Sequence, residues 1–204
     1  MQAVGIILAA GLSSRMGQLK ALLPLGAETV LGHQIRVLRQ GGAERVIVVT
    51  GHERRTLEPE IIKAGGEAVF NPQYQQGMFS SVLTGLRAAG ECDCILLLPV
   101  DCPLVEAPLV ASLLEEFRRT RPPVLYPAYQ GKKGHPPVIG RSCFSGIFAH
   151  DGTMGLRGAL EQWKDQWKLM ETDTAGVAMD MDTPEDYQRI LKFICPQDTE
   201  PRKP

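Results

Sequence analysis

The sequence predicts an α/β protein with a mostly parallel sheet and a small antiparallel excursion, and three observations carry that prediction. Apolar runs at residues 4–8, 46–49, 68–70 and 94–98 are short, rich in Val, Ile and Leu, and not alternating. Strands covered on both faces of a parallel sheet read this way. Between them lie helical patterns at 30–39, 79–89 and 109–117, the first with Val30, Leu31, Ile35 and Leu38 on one face. Strand, helix, strand at this spacing makes right-handed βαβ units, whose ligands bind beyond the strand carboxyl ends. After Arg121 the texture changes, because 124–129 and 137–139 flank the turn-prone segment 130–135.

The later elements follow in order. Leu156, Leu160, Trp163 and Trp167 recur at helical spacing, which predicts a helix over 154–167 with both tryptophans in the core. Residues 177–182 alternate as a strand. Thr183-Pro184-Glu185-Asp186 then opens a helix, with Thr183 as N-cap, Pro184 at the first helical position and acidic residues in the first turn. One domain over 1–194 is expected, followed by a Pro-rich tail over 195–204 that is expected to be disordered.

Composition excludes several classes. Apolar residues are 44% and charged residues 22% of 204, within the ordinary globular range, and the net charge of −1 offers nothing to nucleic acid or an anionic membrane. The apolar start at 3–12 has no preceding Lys or Arg and is shorter than the roughly 18 residues of a membrane helix. Five scattered cysteines predict reduced thiols and a cytoplasmic location.

Chemistry concentrates after the first strand, in Leu8-Ala9-Ala10-Gly11-Leu12-Ser13-Ser14-Arg15-Met16-Gly17-Gln18-Leu19-Lys20. Glycines bring amide N–H groups to an anion, serines add donors, Arg15 can clamp phosphate oxygens bidentately and Lys20 supplies a mobile charge. The loop suits a polyphosphate but matches neither the Walker A nor the dinucleotide glycine pattern. Asp101 stands at the end of an apolar strand, where an ionised carboxylate needs a pair or a cation. Asp182 closes the predicted strand 177–182, with Asp180 on the same face. Such hard oxygens suit Mg²⁺ bridging phosphates.

Those residues resemble a known family. Leu-Ala-Ala-Gly-x-Ser-x-Arg-Met-Gly-x-x-Lys at 8–20 is similar to the signature of the molybdenum cofactor nucleotidyltransferases. Gly77-Met78-Phe79-Ser80-Ser81-Val82 resembles their nucleoside-contacting segment, Gly134-His135-Pro136 their Gly-His-Pro element, and Asp182-Thr183-Pro184-Glu185-Asp186 their closing motif. The combination resembles the cytidylyltransferase branch. It implies a Rossmann-like three-layer α/β/α nucleotidyltransferase fold and transfer of CMP from CTP to molybdopterin, with loss of pyrophosphate. The resemblance further implies that Arg15 and Lys20 hold the triphosphate, and that Asp101 and Asp182 hold Mg²⁺. Leu8, Ala9, Ala10, Gly11, Ser13, Ser80 and Ser81 would line the nucleotide pocket, with His135 and Arg157 facing the acceptor. Ala10 implies CTP, since relatives using GTP carry Gly there. A molybdenum enzyme or its accessory protein is the implied partner.

Two positions depart from the family pattern. Val100 replaces the Gly before Asp101. Thr153 replaces the Asp of a Gly-Asp-x-Gly-x-Arg stretch, with Asp151 as the nearest substitute. The alternatives are the same chemistry with GTP or with a sugar or polyol phosphate, and a non-catalytic nucleotide or cofactor carrier. Retention of Lys20, Asp101 and Asp182 together favours the enzyme.

Overall fold

Strand β1 (Ala3–Ala9) is buried at every position, with β4 (Arg45–Thr50) on one side and β6 (Cys94–Pro99) on the other. Both run parallel to it, and β5 (Glu67–Phe70) extends the sheet parallel to β4. The chain thus winds outward from β1 through β4 to β5, then returns to lay β6 on the opposite edge of β1. This reversal makes β1 the switch point, the place where the loops of a doubly wound sheet splay apart and leave a crevice. The computed structural model describes residues 1–11 and 16–194.

Helices cover both faces. On one side α1 (Val30–Gln40), α2 (Arg54–Lys63) and α4 (Ala107–Thr120) bury Leu31, Ile35, Leu57, Ile61, Leu113 and Phe117 with Ile7, Val48, Leu96 and Leu98. On the other, α3 (Met78–Ala89), α5 (Phe144–Ala149) and α6 (Gly155–Leu160) bury Val82, Leu86, Ile147 and Leu160 with Ile6, Val49, Ile95 and Leu97. Consecutive strand residues point to opposite layers, so both layers need apolar side chains and the strands read as unbroken apolar runs. Each fully buried aliphatic side chain contributes about 1.5–3 kcal/mol against leaving it in water. Thr29 caps α1, its hydroxyl accepting from the Gly32 amide at 3.0 Å.

The antiparallel excursion is present. β7 (Val124–Tyr129) pairs antiparallel with β9 (Val138–Gly140), which is itself antiparallel to β6, and the short β8 (Lys132–Lys133) turns back on β7. Beyond β7 lies β10 (Lys168–Glu171), parallel to it, so the order is β10-β7-β9-β6-β1-β4-β5. A separate two-stranded ribbon joins β2 (Pro24–Leu25) to β3 (Glu28–Thr29). No helix among the described residues is long and apolar enough to cross a membrane.

Two expected elements differ. The helix predicted over 154–167 is α6 followed by a 3-10 segment at Glu161–Gln166. Gly155 and Gly158 weaken the α-helix, and the tighter turn carries Trp163 and Trp167 round to pack on the α3–α5–α6 layer all the same. Residues 177–182 form no strand. Ala175–Ala178 is a 3-10 turn, and the extended stretch after it is held by the Met181 amide donating to the Asp101 carbonyl at 2.8 Å. The alternation there comes from Val177 and Met181 inserting into separate apolar clusters. Asp180 and Asp182 therefore do not share a strand face. The last helix, α7 (Pro184–Ile194), begins as expected. Asp186 accepts from the amides of Asp182 and Thr183, while the Thr183 hydroxyl accepts from the Asp186 amide, a reciprocal cap.

Candidate active site

A cavity of about 420 Å³ opens at the carboxyl ends of β1 and β6. Leu8, Ala9, Ala10 and Gly11 form its floor where β1 runs out. Lys20 and Ala21 enter from a short 3-10 turn, and Pro99, Val100 and Asp101 come from the end of β6. Gly77, Met78 and Ser81 contribute from the start of α3, and Asp182 comes from just ahead of α7. Eight of the residues singled out in the sequence thus meet in one crevice: Leu8, Ala9, Ala10, Gly11, Lys20, Ser81, Asp101 and Asp182. Ser13 and Arg15 lie outside the described residues.

Lys20 organises the polar rim. Its side chain is buried, and its Nζ donates to Asp182 Oδ1 at 2.7 Å and lies 3.9 Å from Asp101 Oδ2. Burial pushes the Asp101 carboxyl above the usual carboxylate range, the nearby Lys20 ammonium opposing it and Asp180 and Asp182 adding to it. One ammonium reaching two carboxylates from separate elements marks a point that a small hard cation would also satisfy, since both donors are oxygens. Among the described residues no group of three or more His, Cys, Asp and Glu side chains converges to hold a metal. Two carboxylates would suffice to hold a hard cation whose other ligands come from phosphate and water oxygens.

The supporting contacts include three residues that the sequence reading missed. Gln34 is fully buried on α1, and its Nε2 donates to the carbonyls of Pro99 and Cys102, each at 3.0 Å. The two bonds bracket Asp101 and pin its loop to the helix. A Gln within the apolar stripe of Leu31, Ile35 and Leu38 was the available signal. Gln34→Leu takes the side-chain donor from the Cys102 carbonyl and leaves the Pro99 carbonyl only the Cys102 amide at 3.2 Å, a cost of about 1–3 kcal/mol for the group left unpaired. We expect a lower thermal midpoint and a higher Mg²⁺ concentration for half-maximal rate, with nucleotide KM at saturating Mg²⁺ little changed; an unaltered Mg²⁺ titration would show that the loop holds itself.

Asn71, buried at the end of β5, donates to the hydroxyls of Ser80 and Ser81 at 2.8 and 3.0 Å and accepts from the Gln73 amide at 2.9 Å. Ser81 is thereby presented to the cavity. Ser80 is absent from its lining, and its hydroxyl donates instead to the carbonyls of Gln73 and Gly77. These bonds hold the start of α3. Gly51, beyond β4, permits this packing. A Cβ there would lie 2.6 Å from the Ala10 carbonyl oxygen and 2.8 Å from the Tyr74 side chain. Cys102 is buried, and its thiol donates to Asp180 Oδ1 at 3.3 Å, burial holding it in the protonated form.

His135 and Arg157, expected at the acceptor, line a second cavity of about 480 Å³ with Leu97, Tyr126, Lys133, Trp167 and others. The His135 amide donates to the Val177 carbonyl at 2.8 Å, and Gly134 is required just before it, because a Cβ would fall 2.4 Å from that same oxygen. Burial lowers the His135 imidazole below its ordinary value, with the Asp180 carboxylate acting against it. Asp151, the nearest substitute for the missing acidic residue at 153, is exposed and accepts from the Thr153 amide of its own loop at 2.8 Å.

Comparison with known proteins decides the family. Residues 5–167 match the model of the MobA-like NTP transferase domain. The chain belongs to this family. It is a nucleotidyltransferase by that membership. Three relatives match along nearly their whole length. The molybdenum cofactor cytidylyltransferase of Escherichia coli is 30% identical, over 89% of this chain and 92% of its own. Nicotine blue oxidoreductase of Paenarthrobacter nicotinovorans is 31% identical, over 92% and 95%. A probable molybdenum cofactor guanylyltransferase of Carboxydothermus hydrogenoformans is 34% identical, over 92% and 94%.

Proposed function

We propose that this MobA-like protein transfers CMP from CTP to the phosphate of molybdopterin, releasing pyrophosphate. The observation that carries the reading is the single crevice in which the Leu8–Gly11 backbone, Lys20, Asp101 and Asp182 converge. The cytidylyltransferase name belongs to the E. coli relative, and Ala10 supports extending its nucleotide to this chain.

In this reading the cytosine and ribose lie against Ala9, Ala10, Gly11 and Ser81, and the triphosphate runs toward Lys20 and the Arg15 loop. An acceptor phosphate oxygen forms a bond to the α-phosphorus as the bond to the bridging α–β oxygen breaks, and pyrophosphate carries away the electron pair. The nucleophile is already anionic, so the protein need not remove a proton. Its work is to align the two phosphates and offset developing charge, which Lys20 does with a fixed ammonium. Asp101 and Asp182 would hold Mg²⁺, which supplies Lewis-acid neutralisation of the α- and leaving-group oxygens.

The test is pyrophosphate release with Mg²⁺ and each of CTP, GTP, ATP and UTP, with and without molybdopterin. Release confined to CTP plus molybdopterin is expected. Release with GTP instead overturns the base assignment, and tight CTP binding without turnover on any acceptor favours a carrier. Ala10→Gly is expected to move the ratio of kcat/KM for CTP over GTP toward GTP by at least tenfold; an unchanged ratio removes Ala10 from base selection.

A further inference from the structure

Asp101 and Asp182 reach the crevice from distant parts of the chain, and the segment leading into Asp182 decides how far apart they stand. That segment is fastened along its length. Gly176 packs on the Asp101 side, where a Cβ would fall 2.6 Å from Leu104 Cβ, and Val177 and Met181 are fully buried. The Met181 amide donates to the Asp101 carbonyl at 2.8 Å, and the Asp182 amide donates onward to Asp186 Oδ2 at 3.1 Å. One residue along each loop from the Met181–Asp101 bond, the Cys102 thiol donates to Asp180 Oδ1 at 3.3 Å and lies 3.7 Å from Asp101 Oδ1. Cys102 is itself gripped from behind, its carbonyl accepting from Gln34 Nε2 at 3.0 Å and its amide donating to the Pro99 carbonyl at 3.2 Å. The thiol is therefore a fixed point. Thiols are weak donors, but Cys102 is only 1% exposed and no bulk water competes for the bond. Neither Cys102 nor Asp180 lines the crevice.

We propose that Cys102 is a positioning residue: bonded to Asp180, it fixes the spacing of Asp101 and Asp182 and so makes that pair select a small divalent cation, Mg²⁺, over the larger Ca²⁺. The proposal rests on the reading in which Asp101 and Asp182 hold the cation. A single bond between two loops is a pivot, and the Met181–Asp101 bond alone would let the two carboxylates swing about it. A second bond one residue further along both loops stops that rotation. The distinction matters because the two ions differ in what they tolerate. Mg²⁺ demands near-ideal octahedral geometry at about 2.0–2.1 Å, whereas Ca²⁺ accepts roughly six to eight oxygens in flexible arrangements at about 2.3–2.6 Å. Carboxylates free to drift apart lose the smaller ion first, and carboxylates stitched together keep it. Cys102 acts through the geometry of its neighbours, as the groups that orient metal ligands generally do.

The test is binding of Mn²⁺ to the full chain without nucleotide, read from the paramagnetic resonance of the free ion, with Mg²⁺ and Ca²⁺ as displacing ions. Wild type is expected to release Mn²⁺ to Mg²⁺ more readily than to Ca²⁺. Cys102→Ala should weaken Mg²⁺ by about tenfold or more and Ca²⁺ by less than about threefold. Cys102→Ser, which keeps a donor, should recover most of the preference. Asp180→Ala changes an exposed residue and leaves the buried thiol in place, and it should repeat the effect of Cys102→Ala. The double variant should do no more than either single one, because all three lack the same bond. An Mg²⁺ to Ca²⁺ ratio unchanged in both single variants overturns the proposal, even where the melting midpoint of Cys102→Ala falls. Fully additive losses in the double variant overturn the bond as their cause. Mn²⁺ binding that survives Asp101→Asn intact overturns the underlying assignment of the cation, whatever the Cys102 variants do.

Discussion

Asp101→Asn is expected to lower turnover on the order of a thousandfold while leaving the metal-free fold at least as stable as wild type. The first half follows from removing one of two carboxylates that would hold the cation at the α-phosphate, where several kcal/mol of charge stabilisation is at stake. The second half follows from burial. The Asp101 carboxyl titrates above its unfolded value, because desolvation outweighs the Lys20 ammonium. A group raised in the folded state adds stability below its unfolded pKa and loses that contribution as pH climbs through its folded pKa. At neutral pH the ionised Asp101 is thus a net strain on the metal-free fold, and Asn removes it while keeping the shape. Melting curves without metal, across the acidic range and at pH 7, check the sign. The midpoint of the variant relative to wild type should rise as pH climbs through that window, because other carboxylates titrate alike in both proteins and cancel in the difference. Near-normal turnover in Asp101→Asn would falsify its assignment to the metal.

Lys20→Met is the second large effect, and it has the opposite stability sign. The buried ammonium sits between Asp182 at 2.7 Å and Asp101 at 3.9 Å. A hydrogen bond to a charged group contributes about 1.5–3 kcal/mol, and the partial exposure of both carboxylates puts this one toward the lower figure. Methionine keeps most of the apolar stem, so the loss reports the charge. We expect a drop in turnover of about a hundred- to a thousandfold, as for removal of one preorganised donor from a reacting oxyanion. The lowered melting midpoint should recover as MgCl₂ is added, by more than the shift Mg²⁺ gives wild type. A midpoint indifferent to Mg²⁺ would separate Lys20 from the cation site.

The parallel core was legible because its strands are apolar on both faces, and helices α1, α3 and α4 because each buries a regular stripe. Helix α2 was not, since Arg54, Arg55 and Pro59 hide a segment anchored only by Leu57 and Ile61. Strand β10 was also invisible, being a largely exposed edge strand of polar texture. At the site, glycines and charges in one loop, and carboxylates at element ends, gave the crevice its floor and rim in advance. The residues that hold those groups still were hidden for a physical reason. Gln34 and Asn71 act through backbone carbonyls and neighbouring hydroxyls, partners that no one-dimensional pattern displays. Cys102 gains its meaning only from Asp180, 78 positions later, once the fold has brought that carboxylate to its thiol.

The central position of β1 has a consequence for how the chain is made. This strand precedes its sheet neighbours in the chain, yet one of its edges waits for β6, whose pairing begins with Cys94 opposite Ala3. Until β6 has left the ribosome, seven buried residues have an open backbone edge, a template for association with another nascent chain. Long-range parallel pairing of this kind is slow to form, and its intermediates are prone to aggregate. The same connectivity that opens the crevice at the switch point keeps the strand leading into it open on one edge until β6 arrives. The sheet is closed around β1 once β6 is in place, but the crevice is complete only when Asp182, just ahead of α7, has joined it.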